Sequence, residues 1–412
     1  MTKKPDAPAI RFKGFSDAWE QREVGDLLIE RSQQAPMSDE YPLMAFIANE
    51  GVAPKGERYD RSALVTDTVN KLYKKTEKGD FIYSSNNLET GSIGLNKYGK
   101  ACISPVYSIF EPTGIADSDF LGRRLVRKDF INAMVKWRQG VIYGQWRIHE
   151  SDFLKIEISV PSVEEQRKIG AYLDQLDNLI TLHQRKFEKL TNVKKSMLEK
   201  MFPQNGCSYP EIRFKGFTDA WEQRKLGELV DRVVRKNTNN ESTLPLTISA
   251  QYGLVDQITY FNNRVASRDV SNYYLVLNGE FAYNKSTSDG YPFGAVKRLD
   301  LYEKGVLSTL YIVFSPKKEQ QVDSDFLTVF FDTDRWHKGV AERAAEGARN
   351  HGLLNISAED FFDIDLSVPK DVAEQKQIGA FIRQLDNLIT LHQRELEKLQ
   401  NIKKSMLEKM FV

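Results

Sequence analysis

The chain has 412 residues, a formal net charge of +1 and 41% hydrophobic residues. This length predicts two to three domains, and the apolar content excludes wholesale disorder. No apolar run reaches the length of a membrane-spanning helix, and the lysines near the N-terminus are not followed by the apolar run of a signal peptide. Two cysteines, Cys102 and Cys207, favour a reducing compartment without disulfides, so the expected location is the cytoplasm.

The chain repeats itself at long range, with near-identical blocks around divergent stretches. The repeated blocks are residues 10–15 with 212–217, 17–22 with 219–224, 175–185 with 384–394, and 194–202 with 403–411. A repeat of this length predicts a duplicated domain and not a solenoid unit. The predicted order is a first domain at 1–160, a helix at 161–202, a linker at 203–209, a second domain at 210–368 and a helix at 369–412.

The first domain is predicted to be mostly β-structure with some helix. Its polar stretch 84–100 mixes Asn, Ser, Tyr and Lys, which are side chains that contact base edges and phosphates. The alternative interpretation is an ordinary solvated loop. The candidates for nucleic-acid contact are Ser84, Asn86, Asn87, Lys97, Tyr98, Lys100 and Arg147.

The segment 161–202 predicts one long helix. Its seam positions alternate steps of four and three residues, and this mean spacing of about 3.5 is typical of a coiled coil. Ser162 and Glu165 form a capping-box pattern at its start, and Pro203 follows its end. The seam positions are Ile169, Leu173, Leu176, Ile180, His183, Phe187 and Leu190, continued by Lys194, Met197 and Met201.

The second domain repeats the strand-like blocks of the first domain but differs from it in the polar stretch 284–298. The same chemistry selects a second set of candidates, and the same alternative of a solvated loop applies. The candidates are Asn284, Lys285, Ser286, Tyr291, Lys297, Arg298 and Arg349.

The segment 369–412 predicts a second long helix, with Asp371 and Glu374 as its capping-box pattern. We expect the two helices to form an antiparallel coiled coil with pseudo-two-fold symmetry; the alternative is that each helix packs only on its own domain. Polar seam residues such as His183 and His392 usually fix the register at some cost in stability. The seam positions are Ile378, Ile382, Leu385, Ile389, His392, Leu396 and Leu399, continued by Lys403, Met406 and Met410.

Motifs of catalysis are missing from the sequence. The stretch 94–101 approaches a phosphate-binding loop but ends in Ala101, without the hydroxyl that holds Mg²⁺. The histidines and cysteines show no metal-ligand spacing, and neither a nucleophile elbow nor a zinc-protease motif occurs. These absences favour a binding protein over an enzyme, with no metal site.

The order of domain, helix, domain, helix resembles the specificity subunit of type I restriction-modification systems. The resemblance covers essentially the whole chain: each domain begins near Arg-Phe-x-Gly-Phe-x-x-x-Trp, and each helix begins after Val-Pro with Glu165-Gln166 or Glu374-Gln375. The implied fold is α+β, with two tandem mixed α/β target recognition domains. The resemblance implies a non-catalytic subunit whose domains each read one half of an asymmetric, bipartite DNA site.

The same resemblance implies that the paired helices set the spacer and dock two methyltransferase subunits. Restriction subunits with motor and nuclease activities join the full complex, and S-adenosylmethionine, ATP and Mg²⁺ are expected on these partners and not on this chain. The expected docking residues on the outward helix faces are Asp177, Asn178, Arg185, Lys186, Asp386, Asn387 and Arg394. Two rival functions remain: a coiled-coil adaptor that binds proteins, and a DNA-binding regulator that acts alone.

Overall fold

The structure is a computed structural model that describes residues 7–54, 71–141, 145–204, 206–249, 252–288, 290–318, 322–344 and 352–412. The chain forms two compact units. Unit 1 comprises Met1–His183 and Arg394–Val412, and unit 2 comprises Gln184–Gln393. Each unit therefore contains one domain, the first part of one long helix and the last part of the other.

The first domain is built from short strands around one four-stranded antiparallel sheet. Its strands are β1 (Glu20–Glu23), β2 (Leu28–Glu30), β3 (Gln34–Ala35), β4 (Ala45–Ile47), β5 (Gly51–Ala53), β6 (Tyr73–Thr76), β7 (Phe81–Tyr83), β8 (Ile93–Leu95), β9 (Ala101–Ile103), β10 (Ser108–Pro112), β11 (Gln139–Val141), β12 (Gln145–Arg147) and β13 (Glu157–Val160). Its helices are α1 (Val24–Leu27), α2 (Ser118–Arg124), α3 (Lys128–Val135) and α4 (Glu150–Leu154), followed by the long helix α5 (Val163–Lys200). The main sheet has the order β2-β10-β7-β8, beside a three-stranded sheet β3-β6-β9.

The second domain repeats this plan. Its strands are β14 (Glu222–Lys225), β15 (Val230–Arg232), β16 (Leu246–Ser249), β17 (Gly253–Asp256), β18 (Tyr274–Leu277), β19 (Phe281–Asn284), β20 (Ala295–Arg298), β21 (Lys304–Leu307), β22 (Ile312–Pro316) and β23 (Asp365–Val368). Its helices are α6 (Leu226–Leu229), α7 (Gln257–Phe261), α8 (Ser324–Phe331), α9 (His337–Arg343) and α10 (Ala358–Phe362), followed by α11 (Val372–Lys409). The sheet order β15-β22-β19-β20 matches that of the first domain, which confirms the predicted mixed α/β class.

Aromatic side chains fill the space between each main sheet and the short helix before the long one. In the first domain, Phe153 of α4 lies 4.6 Å from Phe110, between ring centroids. In the second domain, Phe361 of α10 stacks 4.3 Å from Tyr283. All four residues are fully buried, so these contacts are central to the two cores.

The start of each long helix is tied to the first residues of its domain. Arg11 donates two hydrogen bonds of 2.7 Å to the buried carboxylate of Glu165. Arg213 binds Glu374 in the same bidentate way. The glutamates that the sequence assigns to capping boxes therefore bind arginines of their own domains. We call each of these pairs a helix-start clamp.

The adjacent glutamine completes each helix-start clamp. The Gln166 side chain accepts the backbone N–H of Asp117 at 2.9 Å and donates to the carbonyl of Pro161 at 3.0 Å. Gln375 accepts from the N–H of Asp323 at 2.8 Å and donates to the carbonyl of Pro369 at 2.9 Å. The repeated Glu-Gln pair thus fixes the direction in which each helix leaves its domain.

The two long helices run antiparallel, as the seam predicts. In unit 1, Met410 and Phe411 at the end of α11 join the core that contains Ile169, Leu173 and Leu176 of α5. Unit 2 has the reciprocal arrangement: Met201 and Phe202 lie in the same core as the seam residues Ile378, Ile382 and Leu385. The seam residues farther from the domains are only half-buried; these are Ile180, His183, Phe187, Leu190, Ile389, His392, Leu396 and Leu399.

The lysines of the seam bind carboxylates on the opposite helix. Lys194 of α5 lies 2.7 Å from Asp386 of α11, and Lys403 of α11 lies 2.5 Å from Asp177 of α5. The two pairs occupy equivalent positions of the repeat, one in each unit. A polar pair of this kind specifies the register of two helices.

Among the helices of the described ranges, none has both the length and the apolar content of a membrane span.

Candidate nucleic-acid interface

In the first domain, the loop between β7 and β8 meets the hairpin formed by β11 and β12. The Asn86 side chain accepts the backbone N–H of Trp146 at 2.6 Å. One residue away, the Ser85 hydroxyl accepts the N–H of Ile148 at 3.1 Å. Residues far apart in sequence therefore form one surface, which we call the first-domain face: the loop 84–92 and the hairpin strands β11 and β12.

Arg138 links the loop and the hairpin of this face. Its guanidinium donates to the Ser85 carbonyl at 3.1 Å and to both oxygens of Glu89 at 2.8 and 2.7 Å. The same group lies 6.0 Å from the ring centroid of Trp146, within the range of a cation–π contact. The Trp146 ring is thereby oriented while 49% of the residue stays exposed.

The exposed tryptophans are concentrated at this hairpin. The chain has five tryptophans, and Trp19, Trp221 and Trp336 are buried in the cores. The remaining two are 40% and 49% exposed: Trp137 lies just before β11, and Trp146 lies in β12. An exposed, oriented indole beside amide and guanidinium groups suits contact with duplex DNA, because an apolar ring can contact thymine methyl groups in the major groove while the polar groups hydrogen-bond base edges.

The candidate residues of the first domain fall into separate groups. Asn86, Asn87 and Arg147 are exposed on the first-domain face, whereas Ser84 beside them is buried. Lys97 donates at 3.0 Å to Asp174 of α5. Lys100 pairs with Glu40 and lies over the Tyr41 ring. Tyr98 is exposed and lies next to Lys97 in the sequence, outside the loop and the hairpin.

The second domain has a comparable junction with different side chains. Its loop 284–294 is held against residues 352–356 because Thr287 donates to Gly352 at 2.7 Å and Leu354 donates to Lys285 at 3.0 Å, both through backbone N–H groups. Ser286 is exposed, the Asn284 side chain accepts the Ser286 N–H at 3.0 Å, and Tyr291 is partly exposed. We call this loop and the residues 352–356 the second-domain face. Arg349 lies outside the described residues.

Two basic candidates of the second domain are paired inside unit 2. Lys297 lies 2.7 Å from Asp332, and the same carboxylate receives Lys194 of α5 at 3.4 Å. Burial alone would raise the pKa of Asp332, but the ammonium groups of Lys297 and Lys194 outweigh burial and lower the pKa. Arg298 binds Asp300 at 2.6 Å and Asp325 at 2.8 Å. The structure therefore places both cations in contacts between strand and helix and not on the second-domain face.

Apart from Arg147, the hairpin is the part of the first-domain face that the sequence-based choice of candidates misses. Its signal in the sequence is a pair of Trp-Arg dipeptides, 137–138 and 146–147, around glycines 140 and 144. Two aromatic-cation pairs at the two ends of a short hairpin pattern indicate an exposed binding element. Trp146 has no aromatic counterpart in the second domain, where Leu354 occupies the equivalent position and is buried.

The helix residues expected to dock partners fall into two groups, those paired within the chain and those exposed. Asp177 and Asp386 accept the seam lysines, and Asp177 also binds Arg123 at 3.1 Å. The remaining candidates are exposed; these are Asn178, Arg185, Lys186, Asn387 and Arg394. Four leucines beside them are also exposed: Leu179, Leu182, Leu388 and Leu391. Among the described residues, no group of three or more His, Cys, Asp or Glu is arranged to hold a metal ion.

The structure thus defines a class of protein with two related but differently surfaced domains, each mounted on one of two paired helices. The family model for the type I restriction-modification DNA specificity domain matches residues 17–192 and again residues 219–401. The chain belongs to this family. Both copies of the repeat are matched, so the duplication in the sequence is a duplication of the family's domain.

Sequence matches to individual relatives extend over most of the chain. The chain is 23% identical over 411 residues to the type I restriction enzyme MjaVIII specificity subunit of Methanocaldococcus jannaschii, covering 94% of this chain and 91% of that protein. It is 22% identical to the putative MjaX specificity subunit of the same organism, over 64% of this chain and 60% of that protein. Specificity subunits of this family are non-catalytic.

One solved structure supports the fold. The type I restriction-modification S subunit from M. genitalium superimposes with a TM-score of 0.58 at 14% identity and covers 98% of this chain and 99% of its own. The HsdS subunit from Thermoanaerobacter tengcongensis has a TM-score of 0.44 at 16% identity, with 95% and 96% coverage.

Proposed function

We propose that this chain is the DNA-recognition subunit of a type I restriction-modification complex, in which each domain reads one half of an asymmetric bipartite site. The observation that carries the proposal is that one framework presents two unlike surfaces. The first-domain face has an exposed indole with Asn86, Asn87 and Arg147, whereas the second-domain face has Ser286 and Tyr291 around a buried leucine. Two unlike surfaces select two unlike base sequences.

The helices have two further roles in this proposal. Their pairing sets the length of the unspecific spacer, and their exposed faces dock two methyltransferase subunits. Leu179 and Leu182 on α5, and Leu388 and Leu391 on α11, are each accompanied by an exposed Asn and Arg of the repeat. An apolar patch with a polar rim is the usual composition of a protein interface. In this proposal S-adenosylmethionine, ATP and Mg²⁺ bind the methyltransferase and restriction subunits, and the complex is cytoplasmic.

The test is selection of DNA from a random-sequence pool by the purified chain together with its methyltransferase partner, followed by a mobility shift. We expect a split motif with two unlike halves. Absence of any sequence preference with the partner present would favour the protein-binding adaptor and refute the proposal. Equal selectivity of the chain without a partner, combined with no binding of the methyltransferase, would favour a regulator that acts alone.

Replacement of the second-domain loop tests the modular assignment. We expect exchange of residues 285–294 for an unrelated loop of equal length to alter one half of the selected motif and leave the other half unchanged. The exchange stops before Lys297 and Arg298, because these residues bind Asp332 and Asp325 and support the contact with the helix. The matched control is replacement of residues 85–92, which should alter only the other half. A change in both halves from either exchange would contradict independent reading.

Trp146 provides a second prediction at a single residue. We expect Trp146→Ala to weaken binding to the selected site by roughly 10- to 100-fold, because loss of the contacts to one base pair costs about 1–3 kcal/mol. Trp146→Phe keeps an aromatic ring and should retain most of the affinity. The measurement is titration of labelled DNA with the assembled complex. Mutation of the base pair that Trp146 contacts should lose most of its effect in Trp146→Ala, whereas mutations in the other half-site should keep theirs.

A further inference from the structure

The long helices α5 and α11 are nearly identical, but their charge is reversed at two equivalent positions. Asp174 of α5 corresponds to Arg383 of α11, and Lys186 corresponds to Glu395. Lys186 is exposed on its helix. Positions 174 and 383, in contrast, each lie next to the domain that precedes their helix, one turn after a glycine of that helix.

That glycine brings the helix and the domain into close contact. A Cβ atom at Gly170 would lie 3.1 Å from the Cβ of Asp119, and one at Gly379 would lie 2.7 Å from the Cβ of Asp325. Asp119 and Asp325 occupy the same place near the start of α2 and α8. The side chains at 174 and 383 therefore meet equivalent parts of the two domains at short range.

In unit 1, the domain presents two cations to the helix aspartate. Arg123 of α2 donates to Asp174 at 2.5 Å and Lys97 donates to it at 3.0 Å. Burial of the Asp174 carboxylate raises its pKa, but hydrogen bonds from Arg123 and Lys97 outweigh this and lower the pKa to about 2. The carboxylate is thus held charged by two cationic side chains of the first domain, which also lie 4.0 Å from the neighbouring Asp119. Burial and the charge of Asp174 raise the pKa of Asp119.

In unit 2, the domain presents a carboxylate to the helix arginine. Arg383 binds Asp325, which also receives Arg298. The two cations that face Asp174 are absent at equivalent positions: Val329 replaces Arg123 in α8. The strand register aligns Leu95 with Arg298, because both pair with the first residue of the preceding strand, and this places Asp300 where the first domain has Lys97.

The aspartate at the start of α2 or α8 is kept in both copies, whereas the cations of the domain and the charge on the helix have changed together. We infer that the charge at positions 174 and 383 makes each domain specific for the helix that follows it. On the wrong helix, Arg123 and Lys97 of the first domain would face Arg383 with only Asp119 to offset them, and Asp325 of the second domain would face Asp174 with Arg298 as the one cation beside them. Like charges at contact distance disfavour such a pairing, in the way that charged pairs specify partners in other interfaces.

The inference is independent of what the domains bind. Its consequence for recognition rests on the proposed function: the order of the two half-sites along the DNA is then tied to the order of domains in the chain. Two domains that share a fold would otherwise be exchangeable between the two positions. The reversed charge disfavours that exchange, so the two half-sites keep one order along the DNA.

Single substitutions in the full chain give the first test. Asp174→Arg copies the residue of α11 into α5 and should lower the Tm of unit 1 by about 2–4 °C. It should also speed amide hydrogen exchange in α2, while α8 remains unchanged as an internal control. Lys186→Glu copies the other reversed residue and is the matched control, which should change neither quantity. If Asp174→Arg behaves as Lys186→Glu does, the inference is wrong.

A chain with its two domains exchanged gives the second test, through the double substitution Asp174→Arg with Arg383→Asp. We expect this double substitution to lower the Tm of the chain in its natural order and to raise the Tm of the exchanged chain. An effect of the same sign in both chains would overturn the inference. If the exchanged chain fails to fold, the single substitutions still decide. DNA selection by the natural chain is a separate measurement, so failure here does not affect the proposed function.

Discussion

A chain that ends after Phe202 should form a homodimer, because each unit of the full chain is completed by the far end of the other helix. In unit 1 the Phe411 ring lies 5.3 Å from Phe120 and 6.5 Å from Trp19, between centroids. In the truncated chain this place is empty and its apolar walls are exposed. Residues 194–202 are identical to 403–411, so a second copy supplies the missing residues.

The polar contacts would be restored as well. Lys403 binds Asp177 in the full chain, and Lys194 of a second copy is the equivalent residue for the same aspartate. A two-fold dimer forms both pairs at once, since a symmetric interface repeats every contact. The measurement is the mass of the 1–202 chain in solution by light scattering. A folded monomer at micromolar concentration would contradict the antiparallel completion of the unit.

A substitution at the helix end gives the control for this dimer. Phe202→Ser in the truncated chain should prevent dimerisation, because a hydroxymethyl group cannot fill the pocket beside Trp19 and Phe120. With the methyltransferase partner, the unsubstituted dimer should select an inverted repeat of one half-motif, because its two recognition domains are identical. Selection of the full asymmetric motif would contradict the assignment of the other half to the second domain.

The helix pairing is accessible from the sequence because it depends on local periodicity. A spacing of 3.5 residues identifies the seam, and two copies of it in one chain identify the partners. The partners of the seam lysines are not accessible in this way. Lys194 and Lys403 interrupt the apolar pattern, and their carboxylates, Asp386 and Asp177, become neighbours only when the antiparallel register is known.

The candidate interface is less accessible, for a related reason. Lys297 and Arg298 have the chemistry of phosphate contacts, but in the folded chain they bind Asp332 and Asp325. Which acidic residues they meet depends on the register of their strand in the sheet. Asn86 and Trp146 are 60 positions apart in the sequence and come together only in the folded chain, where a hydrogen bond of 2.6 Å joins them. Residue type alone therefore selects candidate side chains but does not show which of them lie together in the fold.

The helix-start clamp should contribute most to the stability of each unit among the polar contacts. Glu165→Gln removes the charge that binds Arg11 but keeps the size of the side chain. The Glu165 side chain is 1% exposed and that of Arg11 is 14% exposed, so water compensates little for the lost pair. Breaking a buried, bidentate ion pair on one side destabilises a protein by several kcal/mol, and we expect about 2–4 kcal/mol for this partly exposed arginine.

The chain provides matched controls for this clamp. Glu164→Gln changes the exposed neighbour on the same helical turn and should alter the free energy of unfolding by less than about 0.5 kcal/mol. Glu374→Gln should weaken unit 2 by an amount similar to that of Glu165→Gln in unit 1, because Arg213 binds it with the same geometry. The measurement is denaturant unfolding followed separately in the two units by hydrogen exchange. Equal stabilities of the 164 and 165 variants would show that the Gln166 contacts alone hold the helix start, and that the repeated Arg-Glu pair has another role.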